Sequence, residues 1–225
     1  MGFKRLFGTG DPGEAIEVDT RILGPALPGG ELRGEVLLRG GPRETYVDHL
    51  GRGAAADLRG AAALETPLSE LGGRALGVAL SVKSRIARGD DGDGIEVDDD
   101  LLHVSALPLH EAVLDLFAEE GCLCDAADVV EGDVPGTEQR LGIIQTFRLT
   151  GHSPDPDRPD ALEVTFQTNA VGAMVHVRRA APDERYWEDK PPARRLPAAH
   201  HEVGTVDWRP RVGKVLSELA LLDDR

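Results

Sequence analysis

The sequence is poor in several residue types, and each shortage narrows what the protein can be. It has only two cysteines, so no disulfide framework is expected and a reducing, cytoplasmic setting is the default. Aromatic residues make up 4% of the chain, which leaves a core to be built mainly from Val, Leu and Ile. No apolar run approaches the roughly 18 residues that a membrane span requires. The apolar stretch within Met1 to Gly10 is too short for a secretory signal. Basic residues number 25 against 40 acidic ones among 225, for a net charge of −15. Phosphate contacts need clustered Lys and Arg, so nucleic acid is not expected as a direct partner.

Catalytic and cofactor signatures are missing as well. No nucleophile elbow, phosphate-binding loop, His-Glu-x-x-His or paired Cys-x-x-Cys motif occurs. Gly8-Thr9-Gly10-Asp11-Pro12-Gly13 fits a dinucleotide fingerprint in letters only, because it lacks the preceding strand and the following helix. Cys122-x-Cys124 has no second pair and no nearby His, and reads as two structural thiols. His200-His201 are adjacent, a poor arrangement for ligating one metal, and His176 lies apart from them in a strand. The expectation is a protein without catalytic residues, cofactor or metal.

What the chain does have is a block of negative charge. No Lys or Arg occurs between Arg88 and Arg140, and residues 89–139 contain 16 acidic side chains. The rest is close to neutral, with 24 acidic residues against 25 basic. A block of one sign is usually a solvated face, and otherwise an interaction face. Asp90, Asp91, Asp93, Glu96, Asp98, Asp99 and Asp100 are therefore the candidate partner-binding residues. Their charge would steer a basic partner in a salt-sensitive way. An alternative reading is a divalent-metal (calcium) responsive module on Gly89 to Asp100. In a calcium-loop register, however, Gly89 takes the first ligand position and Asp100 the place of the bidentate Glu.

Apolar periodicity suggests many short strands. Ile16, Val18 and Ile22 alternate, Pro28-Gly29-Gly30 turns, and Leu32, Val36 and Leu38 alternate again. Residues 45–50 can form a third strand, whereas Ala/Gly-rich 51–63 reads as a loop or marginal helix. Residues 75–87 form the clearest strand, and Ile95 with Val97 a short one ahead of Asp98-Asp99-Asp100. After Pro108, Leu109, Val113, Leu116 and Phe117 mark an amphipathic helix or a strand whose apolar face mimics one, with Gly121 placed as a cap. Residues 141–149 and 162–168 read as strands, and Asn169 to Gly172 turns the latter into a hairpin. Residues 182–200, rich in Pro and charge, read as irregular. Val212, Val215, Leu216, Leu219 and Leu222 give a terminal helix over 209–222 an apolar stripe, which docks on its own domain or on a second copy as a homodimer. The pattern is mainly β with antiparallel sandwiches.

Several of these segments resemble one known family. Val18-Asp19-Thr20, Pro28-Gly29-Gly30 and Gly34 to Gly41 are similar to the opening of sporulation-control proteins of the SpoOM type. The strand from Leu76 to Ile86, the Leu107-Pro108-Leu109 junction with Glu111 to Leu114, Ala127-Asp128, Gly132, Glu163-Val164-Thr165-Phe166 and Asp207-Trp208 follow in the family's order. The resemblance implies two tandem arrestin-like β-sandwich domains, at 1–105 and 106–225, with a hinge near 88–108. It also implies a non-enzymatic cytosolic adaptor that acts by protein–protein interaction. Two departures stand out. The first domain is expected to be incomplete, shortened at 42–75, and Leu141-Gly142-Ile143-Ile144 replaces the family's aromatic-rich stretch.

Overall fold

The computed structural model describes residues 17–24, 26–29, 33–39, 47–54, 67–78, 80–88, 95–134, 139, 142–151, 160–180 and 191–221. The described residues are mainly β, with antiparallel sheets and two α-helices. No helix among the described residues is long and apolar enough to cross a membrane.

Strand β1 (Glu17–Ile22) pairs with β2 (Gly34–Arg39), from Glu17 opposite Arg39 to Ile22 opposite Gly34. β3 (Val47–Ala54) takes in residues 51–54, expected as loop or marginal helix. β4 (Glu70–Leu71) and β5 (Arg74–Ala75) form a small hairpin. Then come β6 (Leu80–Arg88) and β7 (Ile95–Leu102), and the sheet order is β3-β6-β7. The strand expected over 75–87 is thus split. Gly77 sits at φ 79°, a left-handed conformation that interrupts an extended run. β7 does not stop at Val97 but runs on through Asp98, Asp99 and Asp100, which lie opposite Ser84, Lys83 and Val82. Aspartate is a poor strand former, and pairing along β6 overrides that preference.

Helix α1 (Pro108–Glu119) settles the helix-or-strand alternative. Pro108 is preset for the first turn, and Gly121 at φ 87° ends the helix as a left-handed cap. Leu109, Val113, Leu114 and Phe117 are its buried face. The chain continues into β8 (Cys122–Glu131), β9 (Ile143–Gly151), β10 (Ala161–Thr168), β11 (Gly172–Arg179) and β12 (Arg194–Ala199), an antiparallel sheet in the order β12-β11-β10-β9-β8. β12 lies within a segment expected to be irregular. Pro197 is compatible with a strand there because β12 is an edge, where a missing N–H costs no ladder bond. Helix α2 (Arg209–Ala220) ends two residues before the expected position; Leu221 is in a turn and Leu222 lies outside the described residues.

One face of this sheet is the core. Leu149, Leu162, Val164, Val175 and Val177 are fully buried there with Phe147, and α1 and α2 cover them through Val113, Phe117, Val212 and Leu219. Each such side chain contributes roughly 1.5–3 kcal/mol of burial. Aromatics are few but concentrated: Phe117, Phe147 and Trp208 are buried, and Phe147 meets Phe166 edge-on at 5.6 Å. The core is therefore not aliphatic alone. Along each strand the alternate residues form the opposite face, which holds buried Thr146, Thr165, His176 and Arg178. Arg178 and Glu163, cross-strand partners, form an ion pair at 3.0 Å.

Candidate interaction surface

The seven acidic candidates do not share one environment. Asp90, Asp91 and Asp93 lie outside the described residues, with the rest of 89–94 and the Gly8–Gly13 motif, while residues 95–100 of the suggested calcium loop at 89–100 are part of strand β7. Glu96, Asp98, Asp99 and Asp100 are all in β7. Asp98 is half-buried, and its Oδ2 accepts the backbone N–H of Thr20 at 2.5 Å, which ties β1 to β7. Asp100 is also half-buried and engaged. The Asp98 carboxylate thus helps hold β1 and β7 together as well as carrying charge.

The later part of the acidic block forms a different surface. Asp115 and Glu119 are exposed on α1, and Asp125, Asp128, Glu131 and Asp133 are exposed on or just after β8. α1 packs against the core face of β8, where Cys122, Cys124 and Ala127 join the core. Asp115 and Glu119 thus lie on the helix that covers one face, while Asp128, opposite Thr146, projects from the other face, so carboxylates flank the β8 edge on both sides of the sheet. The absence of Lys and Arg up to residue 139 was the available signal for this patch. Which carboxylates reach solvent depends on the packing of α1, which sequence periodicity does not reveal.

Residues 102–106, within the expected hinge, are held by bonds to several elements. Ala26 N–H donates to His103 O, Ser105 N–H to Ala26 O, and Ala106 N–H to Glu70 O. Val104 N–H donates to Ser69 Oγ at 2.8 Å. Gln145 on β9 completes the junction with a pair of 2.7 Å bonds, accepting Leu68 N–H at Oε1 and donating Nε2–H to Leu68 O. Ala26, Leu68, Leu102 and Val104 belong to the same buried cluster as the five-stranded sheet. Beside them is a cleft of about 520 Å³, counting the solvent at its mouth, lined in part by Leu68, His110, Gln145 and Thr168.

The ionisable side chains here are structural in their bonding. Burial first, and the charge of His200 second, lower the pKa of His110 to about 4. His110 Nδ1 faces the Leu107 N–H at 3.4 Å, so the remaining proton is assigned to Nε2, which donates to Thr168 Oγ1 at 2.8 Å. A neutral imidazole thus serves the N-terminus of α1. Burial, then Arg195 and Arg178, lower His176 to about 4. His200 and His201 begin a 3-10 turn, and His200 Nε2 lies 2.9 Å from Asn169 O. Burial and then Asp125 raise the pKa of Cys124, which keeps the thiol protonated and weakly nucleophilic. Both cysteines are free. Among the described residues no three His, Cys, Asp or Glu side chains are grouped to hold a metal ion. The apolar stripe of α2 is buried on its own sheet through Val212, Val215, Leu216 and Leu219.

Comparison with known proteins bears on the whole fold. The structure is similar to the crystal structure of Spo0M, a sporulation control protein from Bacillus subtilis, with a TM-score of 0.68 and 19% identity. The match covers 92% of this chain and 98% of that one. No curated protein matches the sequence. The model of the SpoOM protein family matches residues 51–179, more than half of the chain, and the chain therefore belongs to the SpoOM family.

Proposed function

We propose that this chain is a non-enzymatic regulatory adaptor in sporulation control, acting in the cytoplasm by binding other proteins. The observation that carries the reading is the acidic surface of α1 and β8, within a stretch that has no Lys or Arg between Arg88 and Arg140. Family membership and the likeness to a solved sporulation control protein supply the sporulation context. The fold would act as two tandem units. The smaller sheets come before residue 105 and the five-stranded sheet after residue 106. Asp90, Asp91, Asp93, Glu96, Asp98, Asp99 and Asp100 extend the acidic surface in sequence toward the first unit. A basic partner would be drawn in over a Debye length of about 8 Å at physiological salt.

The test is affinity capture from lysate of a spore-forming host, with the intact chain as bait, at low and high salt. A parallel bait carries Asp115→Asn, Glu119→Gln, Asp128→Asn and Glu131→Gln. Spore counts are compared in a strain that depends on each version. The reading expects a captured protein that is lost at high salt and with the neutralised bait, together with an altered spore count. Capture and spore counts that are indifferent to both would sink it.

A further inference from the structure

We infer that the outer edge of β8, from Ala126 to Glu131, is a docking site for an extended basic segment of another protein, which adds to the sheet as a further antiparallel strand. The inference rests on the adaptor reading above and names its surface and binding mode.

β8 is the last strand in the order β12-β11-β10-β9-β8, and among the described residues no further strand pairs with its outer side. Its only irregularity falls between Cys124 and Ala126. A bond from Cys124 Sγ–H to Ala126 O, at 3.7 Å, is weak and lies at that bulge. After it, six consecutive pairs run from Ala126 opposite Arg148 to Glu131 opposite Ile143. A regular antiparallel strand turns alternate N–H and C=O groups outward, so this stretch is an unbroken template. Val129 is 39% exposed, and Asp128 and Glu131 are exposed beside it. Packing of α1 leaves Asp128, Val129 and Glu131 exposed, while Ala126 and Ala127 line a cleft with Leu71, Arg74 and Ala75 of the β4–β5 hairpin and Leu76 just after it.

Charge selects the occupant. Two copies of this edge would set Asp128 and Glu131 against further carboxylates, and like charges across a strand pair are unfavourable. Asp128 and Glu131, three residues apart, project from opposite faces of the strand, so an added strand with Lys or Arg at alternate positions meets one of them on whichever face its basic side chains take, and its backbone supplies the missing ladder. The same carboxylates that block self-pairing thus favour a basic strand.

The test uses the intact chain and a fluorescent ten-residue peptide of alternating Lys and Val. The comparison peptides alternate Glu and Val, or are Lys-Val with a central Pro. Anisotropy reads affinity and hydrogen exchange reads the β8 amides. The Lys-Val peptide should bind and slow exchange at residues 126–131. The Glu-Val peptide should not bind, and the Pro peptide should lose about tenfold because Pro cannot donate to the ladder. The Asp128→Asn, Glu131→Gln double variant should also lose about tenfold. The equally charged control Asp115→Asn, Glu119→Gln on α1 should stay within about twofold. No binding, equal binding of the Pro peptide, or binding without protection of β8 would overturn the inference. So would a dimer in sedimentation that the β8 variant dissolves. If partner capture survives the β8 variant but not the α1 variant, the adaptor reading stands and the edge inference falls.

Discussion

The two edges of the five-stranded sheet are protected by different means. β12 is closed by its own proline and by side chains of the turn and helix that follow it. Pro197 has no N–H to offer, and its carbonyl accepts Arg211 Nη1 at 3.3 Å. The Ala199 N–H donates to Glu202 Oε2 at 3.0 Å. The same Glu202 takes a two-pronged bond from Arg211, at 3.0 and 2.9 Å. Helix α2 then packs over the strand. β8 has no proline, and among the described residues no comparable bonds from charged side chains to its backbone; it has carboxylates and one bulge. Bonding closes an edge to every partner, whereas charge closes it only to partners of the same sign. One sheet therefore has one sealed edge and one selective edge.

Acid should produce the largest contrast. His110 and His176 remain neutral in the fold down to about pH 4, while in the unfolded chain they protonate near their ordinary value of about 6.5. The unfolded state binds more protons in that window, so stability falls as pH drops from about 6.5 toward 4. For His110 the loss is about 1.4 kcal/mol for each pH unit. Glu202 acts lower. Its carboxyl is held at about 2, first by the Arg211 hydrogen bond and then by the Ala199 N–H, so its contribution is present above its ordinary range of about 4.3 and is lost as pH falls through about 2. Urea titrations across pH should find this dependence, and His110→Gln should reduce it in the upper window.

Leu219→Ala removes a fully buried side chain from the helix that covers β12. It should cost about 3 kcal/mol in urea unfolding. Hydrogen exchange should speed up at Arg194–Ala199 before it does at β8. Gly172→Ala should cost about 2 kcal/mol, because a Cβ there would lie 2.2 Å from the Ala198 carbonyl oxygen and force β11 away from β12. The smallest effect belongs to the open edge. Asp128→Asn with Glu131→Gln should change stability by less than about 0.5 kcal/mol. The same variant should self-associate more readily, as measured by light scattering, because the like-charge guard is gone.

Much of the fold was legible locally. Leu109, Val113 and Phe117 recur at helical spacing beside Pro108 and Gly121, and the structure places a helix there. Asn169 to Gly172 forms the expected hairpin turn, with Asn169 Oδ1 accepting the Val171 and Gly172 N–H groups. The Asp207-Trp208 step leads into α2 as the family resemblance implied. Elements that run against local preference were not legible. β7 continues through three aspartates because β6 supplies its ladder, and β12 tolerates Pro197 because it is an edge. The bonds joining Leu68 to Gln145 span 77 positions, beyond the reach of any periodicity.

The acidic block likewise divides into what sequence sets and what packing sets. Sequence alone determined that residues 89–139 contain no Lys or Arg, because composition needs no fold to be read. It also determined the strand-rich pattern, since side-chain alternation is a local property of the backbone. Tertiary structure decided the roles of the carboxylates. Asp98 accepts a backbone N–H of β1, while Asp128 and Glu131 stand in solvent on a strand edge. The physical reason is that burial and pairing depend on neighbours distant in the chain, and the same residue type serves as a structural acceptor or as a selective charge according to which neighbours arrive.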